Sequence, residues 1–171
     1  MKILGEKSLS SKVVVGLNIL FTAISIVDIV VLSIIIKIVT HITMGEDIQN
    51  NISDLVFFIM IISTGIIALF IIYQFIKIFK KLKRDILFCE DNAKSLNVVS
   101  YSCFVISALY LVIAIFIFSI MKNLTGEFIH YIFAISIMLM IIFAVSGVGI
   151  KILNEIYKKA IEYKEENDFT I

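Results

Sequence analysis

The chain contains no proline among its 171 residues, and only seven glycines and two cysteines. Without proline, nothing in the sequence forces a break in a helix. Transporters built on interrupted helices usually mark the break with Pro or Gly. Here only Gly16, Gly65, Gly147 and Gly149 lie in or beside long apolar runs, so continuous helices are expected. Cys89 and Cys103 form no Cys-x-x-Cys pair and no ligand cluster with His41 and His130. Neither a disulfide framework nor a structural metal site is expected from that spacing. Charge is scarce as well: Asp, Glu, Lys and Arg make up 17% of the chain, with a net charge of +1. No basic patch is broad enough to cover a duplex, which argues against direct nucleic-acid binding. The P-loop, nucleophile-elbow and HExxH patterns are all missing, so no enzyme constellation and no cofactor site is expected.

What fills the chain is hydrocarbon. Hydrophobic residues make up 60% of it, against about 45–50% in a soluble domain. The charges collect in islands between four long runs. The first runs from Val13 to Val39 and is interrupted by Asp28 and Lys37. The second (Leu55 to Ile76) and third (Val98 to Met121) carry no charge, and the fourth (Phe128 to Ile150) holds only His130 near its start. Each run exceeds the ~20 residues needed to cross a bilayer core. The first is too long for a signal-peptide core and has no small-residue cleavage site, so it reads as a retained span. Ile, Val and Phe would favour strands in water. In lipid only a helix or a closed barrel satisfies its own backbone, and the period-two alternation of a barrel is missing. The expectation is a single all-α polytopic domain. Its spans run over about 13–39, 55–78, 98–121 and 128–151, with a loop at 79–97 and a tail at 152–171.

Orientation follows from Lys and Arg. Lys2, Lys7 and Lys12 precede the first span. Lys77, Lys80, Lys81, Lys83, Arg84 and Lys94 crowd the middle connection, and Lys151, Lys158, Lys159 and Lys164 follow the fourth span. The connection 40–54 has no Lys or Arg but carries Glu46, Asp47 and Asp54, and the turn 122–127 has a single lysine. Both termini and the middle loop are therefore expected in the cytoplasm. Lys37, near the outer end of its span, is placed to snorkel. His41 and His130 share the outer side with acidic residues, but two imidazoles without ligand spacing make a poor metal site.

Two parts should extend beyond the membrane. After the second span, Phe75, Phe79, Leu82 and Ile86 recur at helical spacing among Lys80, Lys81, Lys83 and Arg84, a basic amphipathic continuation suited to an anionic lipid surface. After the fourth, Ile152, Ile156, Ala160 and Tyr163 form a narrow apolar stripe, supported by the pairs Glu155–Lys159 and Lys158–Glu162. Small residues mark the expected packing faces: Thr64 and Ala68, then Cys103 and Ser107, then Ala144, Ser146 and Gly147. The last residues, Glu165, Glu166, Asn167, Asp168, Phe169, Thr170 and Ile171, read as a terminal peptide with Phe169 and Ile171 as anchors for a partner.

Two stretches make the chain resemble a known family. One runs from Phe79-Lys80-Lys81-Leu82 through Ile86-Leu87-Phe88-Cys89-Glu90-Asp91-Asn92-Ala93-Lys94-Ser95-Leu96, and the other from Ala160 to Ile171, closing on Glu166-Asn167-Asp168-Phe169-Thr170-Ile171. They resemble the bacterial membrane-protein family known as domain of unknown function 2975. Phe169 stands where that family more often has Leu, and Cys89 where Ser or Thr is usual. The four-span layout agrees along essentially the whole chain. Members of the family commonly occur beside small helix-turn-helix regulators. The resemblance therefore implies a membrane partner for such a regulator, with Phe88, Asn92 and residues 165–171 as the partner-binding candidates.

Asp28 is the one ionisable side chain deep in a span. A charge there costs about 2.5–3.5 kcal/mol on insertion scales, so it should face the bundle interior or a wet cavity. Thr22, Ser25 and Ser33 lie near it on the same helix, and Tyr110 of the third span lies at similar depth. Three readings follow. The leading one is a non-enzymatic sensor or regulator that binds a cytoplasmic helix-turn-helix protein. The alternative is a small transporter or immunity-type protein with Asp28 as its ion-coupling carboxylate. The third is a structural subunit, since the Ile- and Phe-rich outer faces suit lipid, a homo-oligomer contact or another helix equally. Orientation is open to direct test. With Cys89 and Cys103 changed to Ser, Glu46→Cys should react with a membrane-impermeant maleimide in intact cells and Lys83→Cys should not. Labelling of Lys83→Cys in intact cells would reverse the assignment.

Overall fold

The computed structural model describes residues 9–45, 48–84, 89–120 and 127–168, with side chains placed for 9–45, 54–84, 89–119 and 130–167. These residues form four helices: α1 (Leu9–Thr43), α2 (Ile48–Lys83), α3 (Glu90–Ile120) and α4 (Glu127–Asp168). All four are long and apolar enough to cross a membrane. The chain is an all-α, multi-pass membrane protein. Its Ile, Val and Phe are helical because lipid offers no partner to an unpaired peptide group. The 42 residues of α4 reach about 63 Å at 1.5 Å per residue, roughly twice the ~30 Å hydrocarbon core, so the helix projects beyond any bilayer that holds its apolar half.

The helices form two antiparallel hairpins, α1–α2 and α3–α4, joined through contact of α2 with α3 and a smaller contact of α2 with α4. Among the described residues α1 makes no close backbone approach to α3 or α4. It is an outboard helix laid on α2, and its large side chains face outward, Ile19, Ile26, Ile29 and Ile36 among them. Gly45, at φ 83°, ends α1 in the left-handed region that only glycine enters without strain. The core lies between α2, α3 and α4: Met60, Ile106, Tyr110, Ile117 and Ile132, flanked by Phe57, Ile113, Phe133, Met140 and Phe143.

The α3–α4 seam repeats at alternating steps of three and four residues. Asn92, Leu96, Val99, Cys103, Ile106, Tyr110, Ile113 and Ile117 follow it on α3, and Ser136, Met140, Phe143, Gly147, Ile150, Asn154, Tyr157 and Ile161 on α4, each buried or half-buried. This is the spacing of a left-handed pair. Small residues allow close approach. Ser100 Oγ donates to the Gly147 carbonyl at 2.8 Å and Ser107 Oγ to the Met140 carbonyl at 3.0 Å. A Cβ on Gly147 would stand 3.1 Å from Phe104 Cε1, whereas one on Gly149 would meet nothing within 4 Å.

Three features differ from the sequence reading. Ser146 is exposed, because the seam passes through Gly147 and turns its neighbour toward lipid. The apolar stripe Ile152–Ile156–Tyr163 is also exposed; the face that packs on α3 holds Asn154 and Ile161, with Tyr157 half-buried beside them. Lys158 closes on Glu155 at 2.9 Å, one turn back, rather than on Glu162. The helical extension expected after the fourth run is present: α4 stays helical through Asp168, and α3 begins at Glu90, well before its apolar run. The first turns of α3 and the last turns of α4 therefore pair outside the apolar layer.

In lipid an interhelical hydrogen bond averages about 0.6 kcal/mol, while overpacking a tight contact costs about 1–3 kcal/mol. Close approach at Gly147 should therefore matter more than either serine. Gly147→Val is expected to lower stability by about 1–3 kcal/mol, Ser100→Ala by about 0.6 kcal/mol, and Gly149→Val by less than either. Reversible unfolding in detergent measures all three, and equal losses at 147 and 149 would remove the close-packing account.

Candidate functional site

Two places hold polar chemistry beyond what packing needs. The first is a lateral cleft of about 320 Å³ near the middle of the apolar layer, lined by Ile24, Val27 and Asp28 of α1, Ile61, Thr64, Gly65 and Ala68 of α2, and Tyr110 of α3. Because α1 and α3 do not approach one another, α2 forms the floor and the two others the walls. The Asp28 carboxylate rests directly over Gly65, where a Cβ would overlap it. Glycine here gives a backbone approach that no other residue permits. Asp28 is 9% exposed, and its Oδ2 finds no hydrogen-bond partner among the described residues.

The hydroxyls near Asp28 are committed elsewhere. On α1, Thr22, Ser25 and Ser33 donate to the carbonyls of Ile19, Phe21 and Val30 of their own helix, the usual fate of Ser and Thr inside a helix. Across the cleft, Thr64 Oγ1 donates to the Met60 carbonyl at 2.7 Å. Thr64 is also hydrogen-bonded to the Tyr110 hydroxyl. With its one hydrogen already used, Thr64 accepts and Tyr110 donates. The relay Tyr110→Thr64→Met60 thus leaves acceptor lone pairs facing the cleft, and no hydroxyl hydrogen remains for the carboxylate. Tyr110 is itself held by a stacked contact with Phe143, with ring centroids 6.2 Å apart.

The second place is the end of the bundle where α2 finishes and α3 begins. Cys89 precedes α3, and its carbonyl accepts from the Asn92 and Ala93 amides at 3.1 and 3.5 Å. Glu90 and Asp91 fill the first turn, where the helix dipole favours negative charge. Lys81 of α2 reaches Asp91 at 2.6 Å and clips the two helices together. Beside this clip lies a groove of about 380 Å³ between α3 and α4, lined by Glu90, Ala93, Lys94, Asn97, Lys158, Ile161, Glu162 and Glu165. Ala93 and Ile161 form its buried floor, and the charged residues its rims. Behind the floor the seam is polar. Asn92 Nδ2 donates to the Tyr157 hydroxyl at 3.3 Å, while the Asn154 amide and the Ser95 hydroxyl are fully enclosed with no partner among the described residues.

The structure brings Asp28 and Tyr110 to one cleft. Thr64 and Gly65 complete it; the sequence marked Thr64 only as a packing residue, and Gly65 stood in a run with no sign of what lay opposite. Among the basic residues, Lys80 and Arg84 are exposed, Lys83 is half-buried, and Lys81 is spent on Asp91. Asn92, expected to meet a partner, is 1% exposed and ties α3 to α4 instead. Glu165 lines the groove, and Glu166 and Asn167 continue the exposed end of α4. Asp168 ends the helix. Phe88, Phe169, Thr170 and Ile171 lie outside the described residues, as does the Asp168 side chain. His41 and His130 are exposed, and no group of three metal-ligating side chains occurs among the described residues.

A family model described as "Protein of unknown function (DUF2975)" matches residues 6–171. No curated protein and no solved structure matches the chain.

The Lys81–Asp91 clip makes a pH prediction. The Lys81 ammonium, through its hydrogen bond and its charge, holds the Asp91 carboxyl below the usual carboxylate range. A carboxyl lowered in the folded state contributes stability above its unfolded pKa, about 3.9, and loses it as pH falls through the lower folded value. Asp91→Asn should therefore melt slightly below the wild type at neutral pH, and the gap should close in acid below that range. A gap independent of pH would show that the clip is not electrostatic.

Proposed function

The chain belongs to the DUF2975 family, and on that footing we propose that it is a non-enzymatic protein of the bacterial cytoplasmic membrane, both termini in the cytoplasm, that serves as regulatory partner to a cytoplasmic helix-turn-helix protein. The observation that carries this reading is the α3–α4 groove. Its rows Glu90–Ala93–Lys94–Asn97 and Lys158–Ile161–Glu162–Glu165 follow helical spacing on two antiparallel helices. A small apolar floor between rims of mixed charge suits an amphipathic helix lying alongside as a third member. The Lys- and Arg-rich connection beside it favours a cytoplasmic position. The regulator itself is what the family resemblance implies.

A second reading is favoured by a different observation, the Asp28 oxygen left without a partner over Gly65. An intramembrane carboxylate costs enough to retain that a functional role is the default reading. On this reading the protein is a small transporter or immunity-type protein with Asp28 as coupling residue. Its signature is proton-linked flux in proteoliposomes that Asp28→Asn abolishes.

The groove is tested by co-purification with the neighbouring regulator. Deleting residues 165–171 should leave membrane insertion intact and abolish retention, and Glu162→Lys in the full chain should weaken it about tenfold, the loss of one charge-assisted contact. Full retention by both variants would remove the regulatory reading.

A further inference from the structure

We propose that the Asp28 cleft is a binding site for a lipophilic ammonium: a protonated primary or secondary amine on a compact hydrocarbon body, entering sideways from the lipid. The inference rests on the second reading's assignment of Asp28 as a working carboxylate, and it adds the chemistry of what that carboxylate meets.

Acceptor atoms are all that the polar lining offers. Asp28 supplies a carboxylate whose Oδ2 has no partner among the described residues. Thr64 has given its hydrogen to Met60, and Tyr110 has given its own to Thr64. A cluster of lone pairs in a low-dielectric layer asks for a positive donor, and N–H groups on an ammonium form strong charge-assisted bonds with a carboxylate. The rest of the lining is Ile24, Val27, Ile61 and Ala68, which suits an aliphatic body of matching size.

The same lining disfavours the other cations. Calcium and magnesium require about six or more oxygen ligands and zinc about four from Cys, His or carboxylate, whereas among the described residues the cleft offers Asp28, Thr64 and Tyr110 and neither His nor Cys. The helices pass through it unbroken, so their carbonyls stay engaged in the helix. A quaternary ammonium has no N–H and is usually held in an aromatic cage. Here the one aromatic residue is Tyr110, and its ring is already stacked on Phe143.

Access is lateral. Among the described residues the wall formed by α1 packs on α2 alone, and Val27 at the cleft's edge is 53% exposed on the apolar surface. The site's depth near the middle of the runs places it below the level of phospholipid headgroups. A small amine partitioned into the hydrocarbon fits, and a headgroup amine of a lipid does not reach.

The test uses the full chain in lipid nanodiscs, with empty nanodiscs as blank, and calorimetric titration of three probes: 1-adamantanamine, the neutral 1-adamantanol, and the N,N,N-trimethyl derivative of the amine. Saturable binding of the amine, at least tenfold tighter than either analogue and lost by tenfold or more in Asp28→Asn, is the expected result. Gly65→Ala should cause a similar loss by displacing the carboxylate, with a helical melting profile showing whether that variant folds. Equal affinity for amine and alcohol, affinity unchanged by Asp28→Asn, or saturation by sodium ions in place of the amine would each overturn the proposal. Binding without flux of the same amine in proteoliposomes would leave the site standing and remove transport. Asp28-dependent proton flux without amine binding would do the reverse.

Discussion

Serine hydroxyls on α3 donate to carbonyls of α4 at two levels, Ser100 to Gly147 and Ser107 to Met140. Both bonds end on backbone carbonyls, so the two helices lie close at these levels, and Gly147 leaves room for that approach against Phe104. In lipid, hydrophobic burial gives no net drive for helices to pack, so small-residue contact of this kind is what distinguishes one arrangement from another. From that pairing the rest follows. It fixes the register of α3 on α4, sets Tyr110 against Phe143, and presents the other side of α3 to α2. The outer faces need no such detail, since any long aliphatic side chain satisfies lipid.

The treatment of polar groups separates structure from function within the apolar layer. Most hydroxyls are bonded inside their own helix, like those of Thr22, Ser25 and Ser33, or across the seam. Each is satisfied at little cost and asks for nothing further. Asp28 is different. Its helix is peripheral, Gly65 provides room for the carboxylate, and the hydroxyls opposite are turned to accept. The Tyr110→Thr64→Met60 direction keeps the acid without a donor.

Beyond the layer, the α3–α4 pair continues with a different chemistry on the same heptad pattern. Asn92, Ser95 and Asn154 take seam positions that Ile or Ser hold further along, and charged rims replace lipid-facing aliphatics. The Lys81–Asp91 contact then ties the end of α2 to this extension. The exposed Ile152–Ile156 stripe lies away from the seam and is a separate apolar surface.

Helix number and helix type were legible in the residues alone. Runs of twenty or more apolar residues admit one backbone solution in lipid, and charged islands show where they end. Asp28 was legible for the same reason, as a lone cost in a run of gains. Which face of each helix turns inward was not. A helix surrounded by hydrocarbon carries almost the same residues on every side, so the outward placement of Ser146 and of the Ile152 stripe left no mark in the sequence. The heptad seam of α3 and α4 was hidden by the apolar residues that crowd every other position. The role of Gly65, the spending of Lys81 on Asp91 and the burial of Asn92 all depend on what lies across from them in space, and that is set by the close approach of backbones from distant parts of the chain.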